Sequence, residues 1–169
     1  MRPNAASVED SAMAPRLWVA DEDDVAAVSG LLGGFRDWMG RDEPSDESIR
    51  RTAAVLLRDP DTEFLLASSD GDSPPSGICQ LRYRLSVWTG VEDCWLEDLF
   101  VRAEARGRGL GRSLVGAALD RARARRCRRI ELDVNEENGG ALALYRSMGF
   151  TTEPKPPGRT LFVGRPLGP

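Results

Sequence analysis

The chain has 169 residues, 41% hydrophobic and 30% charged, with a net charge of −4, a balance that suits one globular domain and excludes an intrinsically disordered chain. Histidine is absent, which removes Ser-His-Asp and Cys-His triads and histidine-ligated metals; any acid or base must be a carboxylate, tyrosine, cysteine or water. The pI near 5 argues against a general nucleic-acid binder, no apolar run reaches the roughly 20 residues of a membrane span, and three cysteines without CxxC spacing suggest reduced thiols in a cytoplasmic protein.

Residues 1–15, rich in Ala, Ser and Pro, are expected to be a flexible leader, with a single domain over 16–169. RLWVA (16–20) reads as a short strand, and DEDD (21–24) suits a helix N-terminus, where carboxylates face the positive end of the dipole. Val25, Val28, Leu31, Leu32, Phe35, Trp38 and Met39 keep helical spacing, although Gly30, Gly33 and Gly34 weaken the middle and predict a bend or break. After the loop RDEPSDES (41–48), Ile49, Ala53, Leu56 and Leu57 give a second helix its buried face, and Asp59-Pro60 stops it. EFLLAS (63–68) and ICQLRYRLSVW (78–88) read as a hairpin, and CWLEDLFV (94–101) as a largely apolar, central strand. Residues 109–126 carry an amphipathic stripe of Leu110, Leu114, Val115, Ala118, Leu119 and Ala122. RIELDV (129–134) returns as a strand, a short helix spans about 138–148 and ends at Gly149, and FTT and RTLFVG read as closing strands. The order predicts an α/β fold with a mixed sheet and helices packed on it.

The densest chemical signal is VRAEARGRGLGRS (101–113), which sets Arg106, Gly107, Gly109 and Gly111 between a strand and a helix. A helix N-terminus leaves its first amides without partners, and glycines let the backbone approach a ligand, so a diphosphate fits there. A Walker A loop needs Gly-Lys-Ser/Thr and no lysine is present; a dinucleotide fingerprint would place glycine where Arg112 stands.

Arg106-x-x-Gly109-x-Gly111 resembles the acetyl-CoA signature of the GNAT superfamily of N-acetyltransferases, and NGGALALYRSMGF (138–150) resembles that family's Asn…Leu-Tyr…Gly-Phe segment. The resemblance covers about residues 16–163 and implies the GNAT fold, a mostly antiparallel sheet with a splayed central strand pair and helices on both faces. It further implies that Leu99, Phe100 and Val101 contact the pantetheine arm through their backbone. Arg106, Gly107, Arg108, Gly109, Leu110, Gly111, Arg112 and Ser113 would hold the pyrophosphate, Asn138 would touch the cofactor near the pantetheine, and Tyr145 would sit at the thioester sulfur. Seven residues are about two helical turns, so Asn138 and Tyr145 share a face roughly 10 Å apart along it. A phenol of pKa near 10 can hand a proton to a departing thiolate, which makes Tyr145 the general-acid candidate.

The attacking amine must lose a proton, and Glu97 and Asp98 lie on the apolar strand. Adjacent strand residues face opposite sides, so only one carboxylate should enter the cleft unless a bulge intervenes, and parity alone does not choose. LEDLFV resembles the polyamine-acetyltransferase branch, whose matching glutamate contacts the amine; this implies Glu97 as base or water-holder, with Asp133 second and Asp98 left on the substrate side. Trp38 and Asp37 belong to the region that walls the acceptor site in this superfamily, and the acidity around them suggests a cationic amine. Trp88 and Trp95 are core or homodimer-contact aromatics. The run RARARRCRR (121–129) is either a solvated helix end or a contact for the adenosine 3′-phosphate or an acidic partner. Cys94 lacks a histidine to activate it, so direct transfer in a ternary complex is the simpler route. The expected function is transfer of acetyl from acetyl-CoA to a primary amine of a small molecule or peptide, with no metal, nucleic acid or membrane involved. The alternative is a non-catalytic acyl-CoA-binding sensor.

Overall fold

The periodic stretches become β1 (Arg16–Val19), α1 (Val25–Trp38), α2 (Asp46–Leu56), β2 (Thr62–Ser68), β3 (Gly77–Leu85), β4 (Glu92–Val101), α3 (Leu110–Ala124), β5 (Ile130–Glu131) and α4 (Gly139–Ser147). The computed structural model describes residues 15–71, 73–153 and 165; the N-terminal leader through residue 14 and the RTLFVG strand lie outside them. Two compact units result, one ending at Asp133 and the other beginning at Val134.

In the larger unit the strands run in the order β1-β2-β3-β4-β5, antiparallel except for the parallel β4–β5 pair. Strand alternation sorts the side chains onto two faces. Phe64, Leu66, Ile78 and Phe100 meet Val28 and Leu31 of α1 and Ala53 of α2. The opposite parity faces α3: a methyl built on Gly77 would stand 2.9 Å from Leu114, and Leu110, Leu114, Val115, Ala118 and Ala122 are buried, as their stripe predicts. Helices therefore cover both faces.

α1 runs unbroken through its glycines, and Gly33 and Gly34 serve close approach instead of bending. A methyl at Gly33 would lie 3.4 Å from Asp46, and one at Gly34 3.4 Å from the Phe100 ring, so the missing side chains let α2 and β4 come near. The DEDD run caps a short 3₁₀ turn ahead of α1: Asp21 accepts from the Asp23 amide at 2.9 Å, and Asp24 accepts from Trp18 Nε1 at 3.1 Å.

β5 is shorter than RIELDV suggests. It pairs with β4 only through Cys94↔Ile130 and Trp95↔Glu131, so beyond Trp95 this edge of β4 has no strand partner among the described residues. That is the splayed pair expected from the family resemblance. In the smaller unit Asn138 caps α4, its Oδ1 accepting from the Ala141 amide at 3.1 Å, and Gly149 at φ +89° ends the helix. FTT (150–152) forms no strand, contrary to its reading in the sequence.

The basic run 121–129 lies at the surface, with Arg123, Arg126, Arg128 and Arg129 exposed as a solvated end would be, and Arg121, Arg125, Arg128 and Arg129 are held in ion pairs. Arg121 grips Glu63 through two bonds of 2.8 and 2.7 Å, and Arg125 reaches Glu92 through two of 3.0 Å while its guanidinium lies 3.8 Å over Tyr83. Arg128 and Arg129 both pair with Asp93 at 3.2 Å. Burial works against the Glu63 charge, but the Arg121 bonds and charge, with the Tyr83 hydroxyl, outweigh it and hold the carboxyl below the usual range.

Candidate active site

The glycine loop has the geometry its sequence predicts. Gly107 (φ +75°) and Gly109 (φ +83°) occupy the left-handed region, where a side chain is strained, and a methyl on either would meet nothing within 4 Å. Gly109 carries no side chain that could cap α3, and the first helical bond runs from the Ser113 amide to the Gly109 carbonyl at 2.9 Å. The amides of Leu110 and Gly111 precede that bond and have no intrahelical partner. A backbone cradle with open space above it and unsatisfied donors at a helix N-terminus fits a pyrophosphate.

Arg106 behaves differently from the rest of the loop. Its Nε donates to the Val101 carbonyl at 2.9 Å, and its guanidinium lies over the rings of Trp38 and Phe100, 5.4 and 5.9 Å from their centroids. Leu99 and Val101 are half-buried and Phe100 is buried; all three follow the point where β5 leaves β4.

The carboxylates are organised by a feature that parity could only allow for. The β3–β4 register slips between Gln80, opposite Asp98, and Leu81, opposite Leu96, so Glu97 is an extra bulged residue. Gln80 Nε2 donates to Glu97 Oε2 at 3.2 Å, which places Glu97 on the Gln80 face, and that face is also the one of Asp98 and Phe100. Both carboxylates thus point the same way, next to the open edge of β4. Burial pushes the Asp98 carboxyl up to about 6, and the nearby charges of Glu97 and Asp133 add to the shift. Asp133 itself is exposed. Gln80 was not visible as a site residue in the sequence; its only signal was a polar residue inside the apolar run ICQL.

Asp37, expected to face a cationic acceptor, is engaged by Arg36 at 2.7 Å, which also holds Asp46 at 2.8 Å. A cavity of about 520 Å³ beside α1 is lined by the Asp37, Asp46 and Glu47 carboxylates, the three α1 glycines, Arg50 and Arg102; with both signs of charge in its wall, it does not single out a cation. Trp38 is exposed and stacks at 5.9 Å on Phe35, and Trp88 is almost wholly exposed at the β3–β4 turn, which removes it from the core. Cys94 is buried, and burial first, then the charges of Cys127 and Glu63, push its thiol up to about 12. In the smaller unit Tyr145 is buried on α4 with its ring centroid 5.6 Å from that of Phe150. Among the described residues no helix is long and apolar enough to cross a membrane, and no cluster of His, Cys, Asp and Glu is placed to hold a metal ion.

A model of the "Acetyltransferase (GNAT) family" matches residues 32–150. The chain is similar to the aminoglycoside N(6')-acetyltransferase type 1 of Stenotrophomonas maltophilia, 30% identical over 165 residues that cover 94% of this chain and 97% of that protein. A stretch of 69 residues is 46% identical to the mycothiol acetyltransferase of Beutenbergia cavernae, covering 39% of this chain and only 23% of that protein. A crystal structure from Arthrobacter sp. FB24, a candidate acetyltransferase, superposes with a TM-score of 0.78 at 31% identity, over 98% of this chain and 100% of that one. With the glycine cradle, the splayed strands and a match across most of its length, the chain belongs to the acetyltransferase (GNAT) family.

Proposed function

We propose that residues 16–169 act as one N-acetyltransferase domain that moves acetyl from acetyl-CoA to a cationic primary amine, by direct attack with both substrates bound. The observation that carries this reading is the bulge at Glu97, which turns two carboxylates onto one face beside the open edge of β4 and raises one of them to about 6. Acetyl-CoA supplies an electrophilic thioester carbonyl. The Leu110 and Gly111 amides bind its pyrophosphate, and the backbone of Leu99 to Val101 holds its arm. Glu97, half-exposed and steadied by Gln80, attracts the ammonium. Asp98 takes its proton: a base poised near 6 is ionised at neutral pH yet stronger than an ordinary carboxylate, the compromise that general-base catalysis favours. Asp133 raises the basicity of Asp98 from outside. Tyr145 donates a proton to the departing thiolate. A buried Cys94 whose thiol is held neutral supports direct transfer over an acyl-cysteine.

Thiol release from acetyl-CoA, followed over a panel of diamines, aminoglycosides and short peptides, tests the reading. Turnover of a primary amine, lost or strongly reduced in Tyr145→Phe, is the expected result. CoA binding without turnover of any amine would favour a non-catalytic acyl-CoA sensor.

A further inference from the structure

The first residue of the glycine signature does not turn its side chain into the cradle. Arg106 leaves the loop toward the opposite face of β4, ties itself to the Val101 carbonyl at 2.9 Å, and lays its guanidinium over Trp38 and Phe100. These rings form a chain: Phe35 stacks on Trp38 at 5.9 Å and on Phe100 at 5.5 Å, and Gly34 lets the Phe100 ring approach α1. Trp38 is the last residue of α1 and is 53% exposed, so its ring presents one face to Arg106 while the rest remains open. A planar guanidinium both hydrogen-bonds a carbonyl and stacks on a ring, which a lysine cannot do.

We propose that Arg106 is a positioning residue, a strap that carries the state of the pyrophosphate cradle to Trp38. This rests on the reading of Gly107 to Arg112 as the CoA cradle and of Trp38 as part of the acceptor wall. Arg106 is covalently the start of that cradle, so any adjustment of Gly107 on binding a diphosphate moves the guanidinium on which Trp38 rests. By linkage the coupling is reciprocal: CoA binding orders Trp38, and a fixed Trp38 favours CoA. The contact is half-exposed, so the coupling is roughly two- to fivefold in affinity.

The test uses CoA as ligand, calorimetry for its affinity and acrylamide quenching of tryptophan emission, with Trp38→Phe subtracted to isolate Trp38. Without CoA, Arg106→Gln should make Trp38 more quenchable than in the parent protein, and Arg106→Lys should fall between. CoA should protect Trp38 in the parent and leave it unchanged in Arg106→Gln, while the CoA Kd rises no more than about fivefold. A Kd raised more than tenfold with Trp38 quenching unaltered would overturn the proposal and make Arg106 a phosphate ligand. Equal quenching in the parent and both variants would also overturn it. Failure of the parent to bind CoA would count against the cradle, whereas the CoA-free comparison decides the strap contact separately. If Arg106→Gln does not fold, Arg106→Lys carries the same comparison.

Discussion

Replacing Asp98 by Asn should stabilise the protein at neutral pH while disabling it. In the fold the carboxyl is raised from 3.8 to about 6, first by burial and then by Glu97 and Asp133. That rise corresponds to at most about 3 kcal/mol. The folded pKa stands above the unfolded one, so the folded state is favoured fully below about pH 4, and that contribution is lost as pH rises through about 6. Above pH 6 the native chain carries the cost of the buried charge, and the Asn variant does not. Thermal melts of the parent and Asp98→Asn between pH 4 and 8 should show a gain for the variant that is near zero at pH 4 and reaches several degrees at pH 8, at about 2–4 °C per kcal/mol. A Tm difference that does not change across this range, or a variant less stable at pH 8, would refute the assignment of a raised, desolvated carboxyl at this position.

Gly109→Ala places a side chain at φ +83° and should lower stability by about 1–2 kcal/mol in denaturant melts. Its methyl also fills the open cradle, so calorimetry should show CoA affinity reduced at least about tenfold, against little change for Gly30→Ala, whose added methyl meets nothing within 4 Å. Cys94→Ala should keep the parent rate of thiol release, with modest destabilisation from the small cavity; complete loss of activity in a folded, CoA-binding variant would restore an acyl-cysteine route. Glu63→Gln removes the charge and one of the two acceptors that Arg121 and Tyr83 use and should cost about 2 kcal/mol at pH 7. Because the folded pKa of Glu63 is depressed, its contribution is present above the unfolded pKa of 4.5 and fades as pH falls through the folded value, so urea melts of parent and variant should converge in acid.

Much of this molecule is legible in its sequence because local rules and the fold agree. The α3 stripe, the Asn138 and Gly149 ends of α4, and the glycines forced to positive φ follow from periodicity and backbone sterics. The two carboxylates of β4 are a different case. Strand parity separates Glu97 from Asp98, and only a slip against β3, a long-range pairing with no local mark, brings them to one face. The ion pairs of the 121–129 arginines have no local mark because their partners, Glu63, Glu92 and Asp93, are distant in sequence. Arg106 follows the same pattern: its motif points to phosphate, while its side chain goes to a ring supplied by α1.

The most direct test of the account is the pH dependence of amine acetylation, followed as isotopically labelled acetyl moving from CoA to the acceptor nitrogen. In the parent protein kcat should fall as pH drops below about 6, with transfer lost or strongly reduced at every pH in Asp98→Asn. Transfer at the parent rate by Asp98→Asn, with the acid limb still near 6, would contradict it.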